Sequence, residues 1–409
     1  MDEAVGGGEG QDLESSEPPG TEPPDPGAVA LRHNRSFQML WIGQVLSDLG
    51  SQFGTLAYPL LVLALTHSPL VAGAVATITS GVAFLVRLPA GALADRLDRR
   101  LTMIVCDAVR AVVLCGLAVA VAAHSIDWPV VLVVAIVDRL GDTLFTPAST
   151  AALPAIVENE QLEAAWAATE ARQYAANLGG PALGGLLFSL GRAIPFVGDA
   201  VSYGASVLTS SRLKGNFGRH GDGERKGLWK EAFDGVLAIW HDPILRAVVA
   251  QAPLINFAFA GALFTVTLGL RHHGTSATVI GLVQAGIMIG GLLGAVAAPK
   301  LQGRWSLSQL VVFLTLSGTG LFAVAAVLMP SPWVALPIAI PLVVSPTTNA
   351  ALFATLIRQT PADMRGRVNN ALLQVATGLA ALAPLAAGAL VSVSSHWAMG
   401  AFAVALGVS

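Results

Sequence analysis

Charge is scarce in this chain. Only 12% of its 409 residues are Asp, Glu, Lys or Arg, against 54% apolar residues and a mean hydropathy of +0.66. A water-exposed surface cannot be covered with so few charges, so the composition excludes an ordinary soluble domain and marks a membrane protein. Cysteine is almost missing too. Cys106 and Cys115 lie in one apolar segment, about 13 Å apart along a helix, which excludes a mutual disulfide. Metal-ligand spacing is also lacking, because the His272 and His273 pair falls in a predicted loop and reads as solvated. No metal or other cofactor is expected. No serine, histidine and acid set falls at a common depth, so the chain does not read as an enzyme, and nothing in it points to nucleic acid.

Lysine and arginine are absent from residues 1–30, which hold eight of the 26 acids. That acidic Gly, Pro, Ser and Glu stretch has no apolar face to bury and is expected to be disordered. It has neither the basic start nor the apolar core of a signal peptide, so the first membrane helix is expected to act as the insertion signal. The remainder is net basic, with 18 acids against 23 basic residues.

A membrane crossing needs about 20 apolar residues. Spans that qualify begin near Phe37, Leu70, Leu101, Trp128, Leu162, Pro195, Ile244, Ser276, Leu307, Trp333 and Arg367. A twelfth starts near Trp397 and is short, its rise of about 20 Å falling below a bilayer of about 30 Å. It reads as a helix that ends inside the membrane or as a truncated one. The expected fold is therefore an all-α membrane protein with twelve transmembrane helices.

Its domains are a tail over 1–30, a six-helix bundle over 31–212, a cytoplasmic linker over 213–243 and a second six-helix bundle over 244–409. In the linker, Trp229, Phe233, Val236, Leu237 and Trp240 recur at helical spacing opposite Lys230, Glu231 and Asp234, which suggests an amphipathic helix on the inner leaflet. With the N-terminus inside, 17 of the 23 basic residues fall in cytoplasmic segments and only Arg192 and Arg271 fall outside. That asymmetry sets the expected orientation.

Between the second and third spans runs Gly91-Ala92-Leu93-Ala94-Asp95-Arg96-Leu97-Asp98-Arg99-Arg100, read as a short charged loop. G-x-L-A-D-R followed by paired basic residues resembles the signature loop of major facilitator superfamily transporters. The resemblance implies the fold of two rocking six-helix bundles. It also implies a cytoplasmic inner gate at Gly91, Asp95, Arg96, Arg99 and Arg100, in which the aspartate caps the start of a helix in the other half and the arginines pair with carboxylates when the gate is shut. Asp98 stands where many members have glycine. The equivalent loop in the second half, Pro299-Lys300-Leu301-Gln302-Gly303-Arg304, has no aspartate.

Span five carries Leu178-Gly179-Gly180-Pro181-Ala182-Leu183-Gly184-Gly185, which resembles the antiporter motif of facilitator-type exporters. Proline removes a backbone hydrogen bond and glycine lets helices approach, so Gly180, Pro181, Gly184 and Gly185 are expected to form a bendable, tightly packed seam. Pro384-Leu385-Ala386-Ala387-Gly388 echoes Pro181 to Gly185 at an offset of 203 residues, the internal repetition that transporter folds carry. Gly286, Gly290 and Gly294 share a face in span eight, where generic packing competes with an antiport role.

Further segments, Asn34-Arg35-Ser36-Phe37, Thr66-His67-Ser68-Pro69 and Arg365-Gly366-Arg367-Val368, resemble the branch holding bacterial siderophore exporters and macrolide-type efflux pumps. The address this implies is the bacterial plasma membrane. A monomer in the lipid bilayer is expected.

Charges inside spans cost several kcal/mol unless paired or wetted, so their positions point to function. Asp48 in span one and Asp138 in span four both fall roughly 15 Å deep, with Arg139 adjoining and Asp142 one turn on. Asp48, Asp138, Arg139 and Asp142 are the expected proton-coupling and cargo-sensing group. The competing reading is a structural ion pair, for instance Asp138 with Arg110 or Arg87, and Asp107 is open to either. The second half offers only Asn256, Gln284, Asn349 and Gln374 among Phe257, Phe264 and Phe353, a weakly polar wall suited to amphipathic cargo. Asn349 and Phe353 share a helical face and are the expected cargo-lining pair. A proton-coupled exporter of drugs, macrolide-like compounds or siderophores leads. A nutrient importer or facilitator of the same fold, and a non-transporting membrane assembly factor, are the alternatives.

Overall fold

A computed structural model of the chain describes residues 31–213, 243–301, 304–360 and 365–409, so the acidic tail and the amphipathic linker helix lie outside the described residues. The described residues are helical throughout, with no strand among them. In the first half, α1 spans Arg35–Thr66, α2 Pro69–Arg96, α3 Arg99–Ala122, α4 Trp128–Ala152, α5 Leu162–Leu190 and α6 Ile194–Ser210. In the second, α7 spans Pro243–His272, α8 Ala277–Leu301, α9 Leu307–Leu328, α10 Ala335–Leu342, α11 Ser345–Gln359, α12 Arg365–Gly378, α13 Ala383–Val391 and α14 Ser395–Val408. Because α10 with α11 and α12 with α13 follow each other across only a few residues, each pair makes one broken crossing. Each half thus contributes six crossings. Eight candidate spans are long and apolar by a strict measure. The others are α4 and α5, with charges inside them, and the shorter α6 and α14.

Local chemistry sets the helix starts. Asn34 accepts the Phe37 amide at 3.0 Å and Ser68 the Val71 amide at 3.3 Å, with Pro69 in the first turn, where its missing N–H costs nothing. Ser306 and Gln309 form a reciprocal capping box on α9. The charged run expected to be a loop is mostly helix. Gly91 to Arg96 complete α2, and only Leu97 and Asp98 separate it from α3. Asp98 explains the tight turn, since its carboxylate accepts the Leu101 amide at 2.8 Å as the N-cap of α3. Asp98→Ala is expected to cost about 1 kcal/mol at the start of α3, with Asp98→Asn close to neutral. Thermal unfolding of the two variants in the same detergent checks the difference.

Within the first half α1 packs on α5 and α6, α3 on α4 and α6, and α2 on α4. In the second, α14 packs on α7 and α9, and α8 on α10. The halves meet along two matched seams, α5 against α8 and α2 against α13. Each is built on main-chain contact. A Cβ on Gly185 would strike the Ala277 carbonyl and lie 3.1 Å from the Gly281 Cα, while one on Gly281 would strike the Pro181 carbonyl. The second seam repeats the arrangement, with Gly73 against the Pro384 carbonyl and Gly388 against the Pro69 carbonyl. These contacts sit near one end of the molecule, where the turns around His67, Gly191, Gly274 and Ser392 lie. Ser189 ties the first seam through the Thr278 amide (3.0 Å) and hydroxyl (2.9 Å), and the Leu385 amide donates to Thr77 in the second at 2.9 Å. Farther along, Gln374 donates to the Phe84 carbonyl at 3.0 Å about midway down α2.

Candidate functional site

The centre of the first half is organised by Arg110 of α3, a guanidinium only 2% exposed. Its Nε donates to Oδ1 of Asp138 on α4 at 2.9 Å, and its Nη1 lies 3.6 Å from Asp107 one turn back on α3. Nη2 donates to Ser51 of α1 at 3.1 Å and to the Tyr203 hydroxyl of α6. The guanidinium carbon also stacks 3.8 Å from the Tyr203 ring centroid. Tyr58 of α1 donates to the other Asp138 oxygen at 3.2 Å. Four helices are therefore cross-linked through one cation. Gly141 makes this possible, because a Cβ there would come within 2.6 Å of the Arg110 Cδ.

Two partly exposed acids lie beside this core. Asp142 bridges outward, with one oxygen 3.9 Å from Arg110 and the other accepting from Arg139 at 3.1 Å. Asp48 of α1 faces Arg172 of α5 at 3.0 Å. Arg172 is nearly sealed at 5% side-chain exposure while Asp48 retains 30%, so the pair offers its carboxylate rather than its cation. Both acids line a cleft between α1, α4 and α5, together with Gln44, Ser47, Trp166 and Gln173.

Asp48, Asp138 and Asp142 are thus gathered in one region. The partner of Asp138 is Arg110, as the ion-pair reading allowed, while Arg87 and Arg139 are exposed. Sequence reasoning left out Arg172, Asp199 and Tyr203 altogether. Asp199 and Tyr203 stand one helical turn apart in a span only 17 residues long, a polar face that was there to be found. Arg172 stands as far into α5 as Asp138 stands into α4, so the same depth count places it beside Asp48.

At the signature run, Arg99 donates to the Ala151 carbonyl at 2.8 Å, and Arg100 to the carbonyls of Ser210 (3.2 Å) and Ser211. Both cations therefore cap the ends of α4 and α6 in their own half, where unpaired carbonyls gather. The bonds these two arginines make here are to main-chain carbonyls, while the carboxylate pairing that the resemblance implies belongs to a shut inner gate. Gly91 lies in α2 with open space at its Cβ position, and Arg96 closes the same helix.

In the proline–glycine run of α5 the glycines face two ways. Gly180 packs on Gln52 and Gly184 on the Phe53 backbone, both of α1, whereas Gly185 and the Pro181 carbonyl meet α8. Gly290 and Gly294 pack on the Ala339 and Val343 carbonyls within their own half. In the second half, Gln284 donates to Thr267 at 2.5 Å and Asn256 to the Ala252 carbonyl at 2.9 Å. Asn349 and Phe353, a turn apart on α11, are exposed. The described residues contain no group of three or more His, Cys, Asp or Glu arranged to hold a metal ion.

A family model described as Major Facilitator Superfamily matches residues 40–382. The enterobactin exporter EntS of Salmonella typhimurium is 24% identical over 359 residues, covering 83% of this chain and 82% of that protein. The enterobactin exporter EntS of Shigella dysenteriae is 25% identical over 345 residues, covering 83% and 81%. Among solved structures, an inward-facing bacterial homologue of the iron transporter ferroportin superposes with a TM-score of 0.69 at 17% identity, covering 91% of this chain and 98% of that one. The nucleoside transporter NupG superposes with a TM-score of 0.70 at 14% identity, covering 91% and 96%.

Proposed function

This chain belongs to the Major Facilitator Superfamily, and from that premise we propose that it is a proton-coupled exporter of amphipathic small molecules working by alternating access. The supporting observation is the set of partly exposed acids at mid-depth in the first half. Asp48 and Asp142 line the cleft, and Asp138 stands behind them on Arg110. Such a carboxylate exchanges a proton only if it is reachable in one state and desolvated in another. The Asp48 and Arg172 pair meets the first condition here, and its Coulomb partner decides which protonation state favours which packing of the halves. Asp138, Arg139 and Asp142 form the second part of the same proton-coupling and cargo-sensing group.

Cargo enters between this charged wall and the weakly polar wall of the second half, where Asn349 and Phe353 are the lining pair. The relatives named as enterobactin exporters favour a siderophore among amphipathic cargoes, alongside drugs and macrolide-like compounds. The run from Gly91 to Arg100 acts at the inner gate. The Gly180, Pro181, Gly184 and Gly185 seam carries the bending between α5, α1 and α8. The protein works as a monomer in the bacterial plasma membrane with its N-terminus in the cytoplasm, so the closed end of both seams is the outer one and the conformation is inward-facing.

The test uses a bacterial host deleted for its own efflux pumps, screened with antibiotics and siderophores for resistance or release. Expression is expected to give protonophore-sensitive efflux of at least one amphipathic compound. Asp48→Asn is expected to reduce that efflux to the protonophore background while its level in the membrane stays unchanged, and Asp138→Asn to reduce it likewise but with a lower unfolding temperature, because Arg110 loses its nearest carboxylate. Gradient-dependent efflux that survives in both variants would remove the assignment.

A further inference from the structure

The buried charge of the first half does not balance. Asp107 and Asp199 are fully buried, Asp138 is 8% exposed, and the one buried cation among them is Arg110. Arg110 reaches Asp138 at 2.9 Å and Asp107 at 3.6 Å. Among the described residues no basic nitrogen lies within 4 Å of Asp199, and both of its carboxyl oxygens are sealed from water.

Of the groups around Asp199 only Tyr203 and Arg110 would favour an anion, and the Tyr203 hydroxyl is already engaged with Arg110 and Ser51. From α1 it meets the Gly50 and Gly54 backbone, with Tyr58 beyond and donating to Asp138. From its own helix it meets Ser202, whose hydroxyl already donates to the Asp199 carbonyl at 2.7 Å, and Tyr203. From α3 it faces Arg110, committed to other acids, and Asp107. From α4 it faces Asp138, a second negative group. A carboxylate placed there would be desolvated, beside like charges and without a cation, the combination that proteins avoid by neutralising the group.

We infer that Asp199 is a proton-binding site of this protein, a neutral carboxylic acid held between α1 and α6 behind the Arg110 cluster. The glycines across from it make this site a gated one. A Cβ at Gly50 would collide with Asp199 Oδ1 and the Ser202 hydroxyl, so the α1 backbone itself is the lid. Water reaches the carboxyl only when α1 separates from α6, and proton release from Asp199 is thereby tied to movement of the helix that also carries Asp48. This goes beyond the exporter reading and deepens its proton coupling, but its test needs neither cargo nor gradient.

The full-length protein is purified at neutral pH without any transported compound, and its infrared spectrum is compared with those of Asp199→Asn and Asp107→Asn. Wild type is expected to carry the carbonyl-stretch band of a protonated buried carboxylic acid. Asp199→Asn is expected to lose that band and keep the wild-type unfolding temperature, since a neutral near-isostere replaces a neutral group, whereas Asp107→Asn keeps the band. No band in wild type, a band that persists in Asp199→Asn, or failure of Asp199→Asn to fold would each overturn the inference. Wild type that shows the band but no protonophore-sensitive efflux would reject the exporter reading and leave this site standing.

Discussion

Arg110→Met is expected to lower stability by about 3–5 kcal/mol, because removing one partner of a buried ion pair leaves the others charged and uncompensated. The loss is large for three concrete reasons. Asp138 and Asp107 would both lose their cation, Tyr203 and Ser51 would lose the donor that ties α6 and α1 to α3, and the stacked ring of Tyr203 would face a thioether. Methionine has the length to fill the space that Gly141 leaves open, so the effect reports charge rather than a cavity. Combining Arg110→Met with Asp138→Leu is expected to recover much of the loss, since burying matched apolar groups avoids the desolvation that a broken pair cannot offset. Chemical or thermal unfolding of the detergent-solubilised single and double variants decides the matter. A single variant that melts with wild type would mean that the cluster carries no structural weight.

Gly281→Leu is expected to abolish transport while leaving each half folded. The new side chain would meet the Pro181 carbonyl and the Ala182 backbone, which cannot rotate away as a side chain can. The obstruction falls between the halves, so it penalises only the state in which α5 and α8 are closed. Ser189 and Thr278 supply a direct readout, because their hydroxyls lie 2.9 Å apart across that seam. Ser189→Cys with Thr278→Cys is expected to form a disulfide readily in the parent background and far more slowly with Gly281→Leu present. Rapid cross-linking in both would show that the seam tolerates the bulk and that the closed state does not depend on it.

Much of the architecture was legible beforehand because membrane helices announce themselves locally. The expected starts near Leu101, Trp128, Leu162 and Leu307 fall within two residues of the observed ones, since Asp98, the Trp128-Pro129 pair and Ser306 are turn or capping signals as well as hydropathy breaks. The Pro181 and Pro384 echo also carried real information, as both segments reappear in corresponding roles on opposite seams. Azimuth was harder to read than depth. Counting residues sets the level of Asp48 and Asp138, but the side of the helix that each faces depends on packing, so the link from Asp138 to Arg110, 28 residues away, competed with Arg87 and Arg139. Asp199 was passed over although Ser202, Tyr203, Ser206 and Ser210 extend its polar face along α6, and its significance as an acid without a cation appears only when the charges on the neighbouring helices are counted with it.

The two seams join main chain to main chain. Carbonyl oxygens and bare α-carbons supply their closest contacts, and Asp48, Asp138 and Asn349, the positions proposed to meet proton and cargo, take no part in them. Under the exporter reading proposed above, the cargo-lining positions can therefore change without disturbing either seam.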